Sequence, residues 1–148
     1  VSQRILFVCT GNTCRSPMAE ALGKALWPAG LFSSAGLAAQ PGESAADNAI
    51  LVFKSRGIDL QGHRARPVSS EILEGADLVL CMTAGHKRAL TRGFPQAAER
   101  THVLRQFAGL EPIDVQDPYG GSLHDYEVCL RILEESLMGL VADKSPKK

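Results

Sequence analysis

The sequence predicts an α/β protein in which a parallel sheet is covered by helices on both faces. Three observations predict it. Short β-rich runs lack the apolar/polar alternation of a half-solvated strand; segments with apolar residues at helical spacing separate them; and glycine or proline punctuates the joints. Strands that alternate with helices build a parallel sheet whose ligands bind beyond the carboxyl ends of the strands.

Arg4 to Cys9 is the first such run, read as a central strand buried on both faces. The turn Thr10-Gly11-Asn12-Thr13 follows. Ser16-Pro17 then reads as an N-cap with proline at the first helical position, so a helix is expected from Ser16, carrying Met18, Ala21, Leu22, Ala25 and Leu26 on one stripe and stopping near Pro28-Ala29-Gly30. Leu31 to Ala35 reads as a second strand, and Ala45 to Arg56 as a helix closed by Gly57. Ser69 to Leu73 reads as a brief helix, Ala76 to Met82 as a third strand, Ala84 to Arg92 as a helix ending at Gly93, and Thr101 to Leu104 as a short fourth strand. Gln106 to Gly121 is loop-like, with Pro112, Pro118, Gly120 and Gly121. Leu123 to Val141 is a long amphipathic helix, and the tail from Asp143 to Lys148 is expected to fray.

The 148 residues fit a single domain, and at this size about two thirds of the unfolded chain's surface can be buried. No repeat, linker or low-complexity segment divides residues 1–148. Hydrophobic residues at 45% and charged residues at 22% exclude a disordered chain and a membrane-embedded one. Sixteen basic residues balance 16 acidic ones, so no overall field draws the chain to nucleic acid or to an anionic membrane, and any anion must be held locally. The longest apolar run, Ile5 to Cys9, is far too short to span a bilayer, and Val1-Ser2-Gln3-Arg4 shows no cleavable signal pattern; a cytoplasmic location is expected. Cys9, Cys14, Cys81 and Cys129 are too sparse for a disulfide scaffold, so reduced thiols are expected.

The chemistry concentrates in Cys9-Thr10-Gly11-Asn12-Thr13-Cys14-Arg15-Ser16, which joins a buried strand to a helix start. There unpaired backbone N–H groups and the helix dipole favour an anion, and together they form a phosphate cradle. The same donors stabilise a thiolate at Cys9, which makes it a candidate nucleophile toward phosphorus. Arg15 offers a planar fork of donors that can grip two phosphoryl oxygens as charge spreads over them. Cysteine followed six positions later by arginine is a weak motif alone, arising by chance in roughly one chain in ten of this size; the preceding strand, Gly11 and the Ser-Pro helix start give it weight. Such chemistry also needs an acid for the leaving group. Asp117, in Asp117-Pro118-Tyr119-Gly120-Gly121, is the candidate; Asp114 has no comparable aromatic neighbour, although an aspartate before proline can simply open a turn.

Val8 to Glu20 together with Asp117-Pro118-Tyr119 resembles the low-molecular-weight protein tyrosine phosphatase family. The likeness continues through Ser33-Ser34-Ala35-Gly36, Gly57-Ile58-Asp59-Leu60, His63-Arg64-Ala65-Arg66 and Ala76 to Thr83, covering nearly the whole chain in order. The resemblance implies a four-stranded parallel sheet and a phosphocysteine mechanism without metal or cofactor. It casts Cys9 as nucleophile, Arg15 as phosphate binder and Asp117 as proton donor. Thr10, Gly11, Asn12, Thr13, Cys14, Ser16 and Tyr119 are then the substrate-binding positions. The resemblance also implies that Asn12, Ser16, Ser34 and His63 form a hydrogen-bond network under the cradle; taken singly each is a bland polar residue, as are His86 and His102. The expected partners are phosphorylated proteins, with neither nucleic acid nor membrane, and the chain is expected to act as a monomer.

Two positions bear on the substrate. Thr13 stands where the tyrosine-directed members are usually aliphatic, and Gly120 where a second aromatic is common. Both resemble the bacterial protein arginine phosphatase branch, with phosphotyrosine as the alternative substrate. Thioredoxin-coupled arsenate reductases share the loop but relay oxidation through two further cysteines, and only Cys81 lies in the relevant region. A non-catalytic phosphate-binding module would keep the cradle without needing both a nucleophilic cysteine and an acid.

Overall fold

The computed structural model describes residues 3–143. Strands β1 (Arg4–Cys9), β2 (Leu31–Gly36), β3 (Leu78–Cys81) and β4 (Thr101–Val103) alternate with helices α1 (Arg15–Leu26), α2 (Asp47–Lys54), α3 (Ser70–Glu74), α4 (Ala84–Gly93), α5 (Leu104–Phe107) and α6 (Leu123–Asp143). They form one sheet of order β2-β1-β3-β4, parallel throughout. From β1 the chain passes to β2 on one side and afterwards to β3 on the other. The order therefore reverses at β1, opening a crevice at its carboxyl end, where Cys9 sits.

The pleat of β1 divides its side chains between two cores. Ile5, Phe7 and Cys9 join residues of α1, α2 and α6, including Met18, Phe53 and Leu133. Leu6 and Val8 face Leu73 of α3, Leu90 of α4 and Val79. Leu6, Phe7 and Val8 are fully buried, as a non-alternating central strand requires.

Several boundaries differ from expectation. Helix α1 begins at Arg15 with Cys14 at the N-cap position and no side-chain cap, so Pro17 is the third helical residue rather than the first and Ser16 is not the cap. A Ser-Pro pair suits the first turn equally well, because proline's missing N–H is one of the unpaired donors at any of these positions. Helix α2 begins at Asp47 rather than Ala45, and β3 at Leu78 rather than Ala76. Asp77, in the bend before β3, accepts from the Arg4 backbone N–H at 2.8 Å and pairs with its guanidinium. Residues Pro95–Arg100 form a 3-10 helix that the sequence did not announce. The expected fourth strand ends at Val103, with α5 following directly. Helix α6 runs to Asp143, and the rest of the expected frayed tail lies outside the described residues.

The segment after α5 is pinned by Arg105, 4% exposed, whose guanidinium donates to the carbonyls of Pro112 and Glu111, to Ser136 Oγ, and to Glu135 of α6. Beyond it the Val115 N–H donates to Met82 O at 2.8 Å and Asp114 Oδ1 accepts from the Ala84 N–H at 2.8 Å. The chain is thereby laid across the carboxyl end of β3, which carries Asp117 to the end of the sheet where Cys9 lies.

Candidate active site

The loop between β1 and α1 turns tightly enough that Asn12 takes φ of 57°. Asparagine tolerates this left-handed conformation better than most residues. The neighbouring strand must yield room: a Cβ on Gly36 would lie 2.6 Å from Thr10 O and 2.9 Å from Asn12 N, so only glycine fits beside the loop. Among the described residues, the backbone N–H groups of Gly11, Asn12, Thr13 and Cys14 donate to no other protein group. With the start of α1 they form a ring of donors suited to an anion.

Asn12, wholly buried, holds the loop in shape. Its Nδ2 donates to Ser16 Oγ and to Ser34 Oγ, both at 2.9 Å, and its Oδ1 accepts from the Arg66 N–H at 3.0 Å. The His63 Nε2 donates to the Asn12 carbonyl at 2.7 Å. Ser34 in turn donates to Glu20 Oε1 at 2.6 Å, and Arg66 Nε to Ser34 O at 2.9 Å. Ser16 Oγ lies 2.9 Å from Cys9 Sγ. Ser16, Ser34 and Asn12 thus use their side chains under the loop, away from its mouth. Glu20 and Arg66 belong to the same network; the sequence placed Glu20 within the helix motif and gave it no role.

Arg15 is 5% exposed. Its Nη1 donates to the Val115 carbonyl at 2.9 Å, its Nη2 lies 3.4 Å from Asp117 Oδ2, and its buried Nε has no partner among the described residues. A buried guanidinium N–H without an acceptor is costly unless a ligand supplies one, so the orphaned Nε points to an anion as the cavity's occupant. Asp117 is half exposed, and its Oδ1 accepts from the Tyr119 N–H at 3.1 Å, so the turn-opening role coexists with the contact to Arg15. Asp114 is committed to the N-terminus of α4.

Cys9, Thr10, Gly11, Thr13, Cys14, Arg15, Asp117 and Tyr119 line one cavity of about 240 Å³, together with Glu43, which the sequence did not single out. A separate, larger cleft of about 800 Å³ is lined in part by Glu20, Ser34, His63 and Arg66. The chemistry belongs to the smaller cavity, where thiol, guanidinium and carboxylate meet.

His86 proves to be a core histidine rather than a surface one. It is 8% exposed, and its Nε2 lies 2.8 Å from Thr10 Oγ1. Burial, assisted by the charge of Arg15, lowers its pKa to about 4, so the ring is neutral at ordinary pH. Cys14 Sγ lies 3.3 Å from the Tyr126 hydroxyl, and burial raises its pKa. Cys81 and Cys129 are buried, and desolvation pushes both thiols up to about 12, which disfavours their thiolates.

A thiol and a buried guanidinium at the two ends of an anion-binding turn, with a carboxylate across the mouth, define a cysteine-dependent protein phosphatase. The chain belongs to the low molecular weight phosphotyrosine protein phosphatase family, whose family model matches residues 4–148. It is 43% identical over 143 residues to a protein-arginine-phosphatase of Geobacillus stearothermophilus, covering 95% of each chain. The crystal structure of a low molecular weight protein tyrosine phosphatase from T. tengcongensis is 44% identical with a TM-score of 0.89, covering 96% of this chain and 99% of that one. A mutant of the YwlE arginine phosphatase carrying a phosphorylated active-site serine has a TM-score of 0.90 at 38% identity, covering 95% of this chain and 94% of that one.

Proposed function

We propose that this chain is a protein arginine phosphatase working through a phosphocysteine intermediate. The Cys9 thiolate attacks phosphorus, an S–P bond forms, the P–N bond to the guanidino nitrogen breaks, and Asp117 gives that nitrogen its proton. Asp117, now a carboxylate, takes a proton from water as the water oxygen attacks phosphorus. The S–P bond breaks, its electron pair returns to Cys9, and orthophosphate leaves. Throughout, the loop N–H groups and Arg15 hold the equatorial oxygens, with Arg15 Nε and Nη2 supplying the planar fork. The phosphoserine in the YwlE mutant supports a covalent phosphoenzyme here. The presence of Asp117 beside Arg15 disfavours a non-catalytic phosphate-binding module, which has no use for an acid.

The observation that carries the choice of substrate is the polar mouth. Thr13 Oγ1 has only a long contact of 3.8 Å to Cys14 Sγ, so it does not cap a loop amide and keeps acceptor capacity. With Asp117 it offers acceptors to the N–H groups of a phosphoguanidinium, which an aryl phosphate lacks. The site is complete within one chain, which suits a monomer. Its dependence on a free thiol suits a reducing compartment such as the cytoplasm. Side-by-side hydrolysis of phosphoarginine and phosphotyrosine peptides tests the reading: kcat/KM should favour phosphoarginine, and the reverse order would place the enzyme among tyrosine-directed members.

A further inference from the structure

We infer that Glu43 is a specificity-determining residue of this site, an anionic wall that favours a phosphate carried on a cationic leaving group. The inference rests on the phosphoarginine reading above and names a residue that reading did not use. Glu43 lines the same cavity as Cys9, Arg15 and Asp117. Its loop is bolted to the cradle at both ends: the Leu37 N–H donates to Cys9 O, the Ala38 N–H to Thr10 O, and the Ala46 N–H to Thr13 O, at 2.8 to 3.0 Å. Within the loop the Gly42 N–H donates to Ala65 O and the Glu43 carbonyl accepts from the Ala65 N–H, both at 2.8 Å. Gly42, with φ of 86°, makes the turn that presents Glu43. The carboxylate enters none of the ion pairs among the described residues, so its charge is unspent.

Charge decides what it can favour. The cavity lining carries one cation, Arg15, and two acidic side chains, Asp117, the proposed proton donor, and Glu43. A dianionic phosphate on a neutral aryl group meets Glu43 only as a like charge. A phosphoguanidinium carries N–H donors and positive charge next to phosphorus, so the same carboxylate can accept a charge-assisted hydrogen bond from it. Tyr119, 75% exposed, offers a flat face to a guanidinium or to an aryl ring and so does not discriminate.

Glu43→Gln keeps shape and hydrogen-bonding reach and removes the charge. It should lower kcat/KM for a phosphoarginine peptide by about fivefold to tenfold, mainly through KM, as expected for a partly solvated charge-assisted contact. Phosphotyrosine turnover should hold or rise, and inorganic phosphate should inhibit more strongly once the repulsion is gone. Glu43→Asp should recover part of the phosphoarginine rate. A wild-type preference for phosphoarginine with a substrate ratio unmoved by Glu43→Gln overturns the role of Glu43 alone. An equal fall for both substrates with weaker phosphate inhibition also overturns it, since that pattern marks general damage to the loop. A wild-type preference for phosphotyrosine overturns the underlying reading and this inference with it.

Discussion

The Ser16 hydroxyl sits 2.9 Å from Cys9 Sγ and 2.9 Å from Asn12 Nδ2, and the two contacts have opposite polarity. Asn12 can only donate through Nδ2, so Ser16 Oγ accepts there and keeps its own proton for the sulfur. Glu20 starts the same ordering one step back, because its carboxylate accepts the hydrogen bond that the Ser34 hydroxyl donates and leaves Ser34 Oγ to accept from Asn12. The network thus aims a hydroxyl donor at Cys9 Sγ, and in the proposed mechanism that hydrogen bond assists the sulfur as the group released when the S–P bond breaks. Ser16→Ala removes a hydrogen bond to a charged group, about 1.5–3 kcal/mol. Alkylation of Cys9 by iodoacetate near neutral pH should slow, and kcat should fall by about tenfold or more. Unchanged alkylation would show that the loop amides alone sustain the thiolate.

Asp117 and Asp114 separate cleanly. Asp117 contacts Arg15 in the cavity, whereas Asp114 caps α4. Asp117→Asn should slow hydrolysis by roughly a hundred- to ten-thousandfold, the usual range for a lost general acid. Asp114→Asn should leave the chemical step nearly intact and cost at most about 0.5–2 kcal/mol of stability, as for a weakened helix cap. Single-turnover kinetics and thermal melts distinguish the two, and a large loss of rate in Asp114→Asn alone would reverse the assignment.

What the sequence made legible was local. The Arg4 to Cys9 run carries its own strand signal, and the cradle is contiguous, so strand, loop, nucleophile and arginine could be read together. Ser16 was misplaced as a cap because the pattern before a proline does not say whether serine ends the loop or opens the first turn. Some residues that act across long separations left no signal of their own. Thr10 and His86 are 76 positions apart, and Arg105 reaches α6 across 30. Glu43 is exposed and polar like any loop glutamate, and only the folded path of its loop brings it to the mouth.

Cys14 bears on oxidation. A peroxide is a two-electron oxidant that would convert the Cys9 thiolate to a sulfenic acid; attack by Cys14 would then expel water and form a disulfide, which an added dithiol reverses. Cys14 must first leave Tyr126, and its thiol is held above its ordinary pKa by burial. Wild type should therefore be inactivated reversibly by mild peroxide, whereas Cys14→Ala should lose activity irreversibly as Cys9 passes to sulfinic acid. Peptide mass spectrometry that finds Cys9 overoxidised in wild type, with no bridge to Cys14, would rule out the protective role.

His86 predicts a pH dependence of stability. Its folded pKa, about 4, lies below the ordinary 6.5, so between these values the unfolded chain binds more protons than the native one. The contribution of His86 is then fully present above pH 6.5 and is lost as pH falls toward 4. His102, also lowered by burial, adds in the same direction, whereas Asp77, held low by Arg4, acts only in more acid solution. Comparing melting temperatures at pH 7 and pH 5, His86→Gln should lose less stability than wild type. Equal losses would mean that His86 protonates without opposition.

Thr13 tests the acceptor side of the substrate argument. Its hydroxyl stands near the centre of the loop, 3.7 Å from where a Cβ on Gly11 would lie, and it lines the cavity beside Cys9 and Asp117. Since, among the described residues, its side chain makes no hydrogen bond but the long one to Cys14 Sγ, the acceptor lone pairs remain open to a substrate N–H. A site built to accept a hydrogen bond discriminates against a ligand that cannot donate it, because the hydroxyl is then left unpaired. Thr13→Ile keeps the branched shape at Cβ and replaces the hydroxyl by carbon, which suits an aromatic ring. The phosphoarginine to phosphotyrosine ratio of kcat/KM should fall by about tenfold if one hydrogen bond of roughly 1.5 kcal/mol is lost. A ratio unmoved by Thr13→Ile would assign Thr13 to the shape of the loop and leave discrimination to the carboxylates.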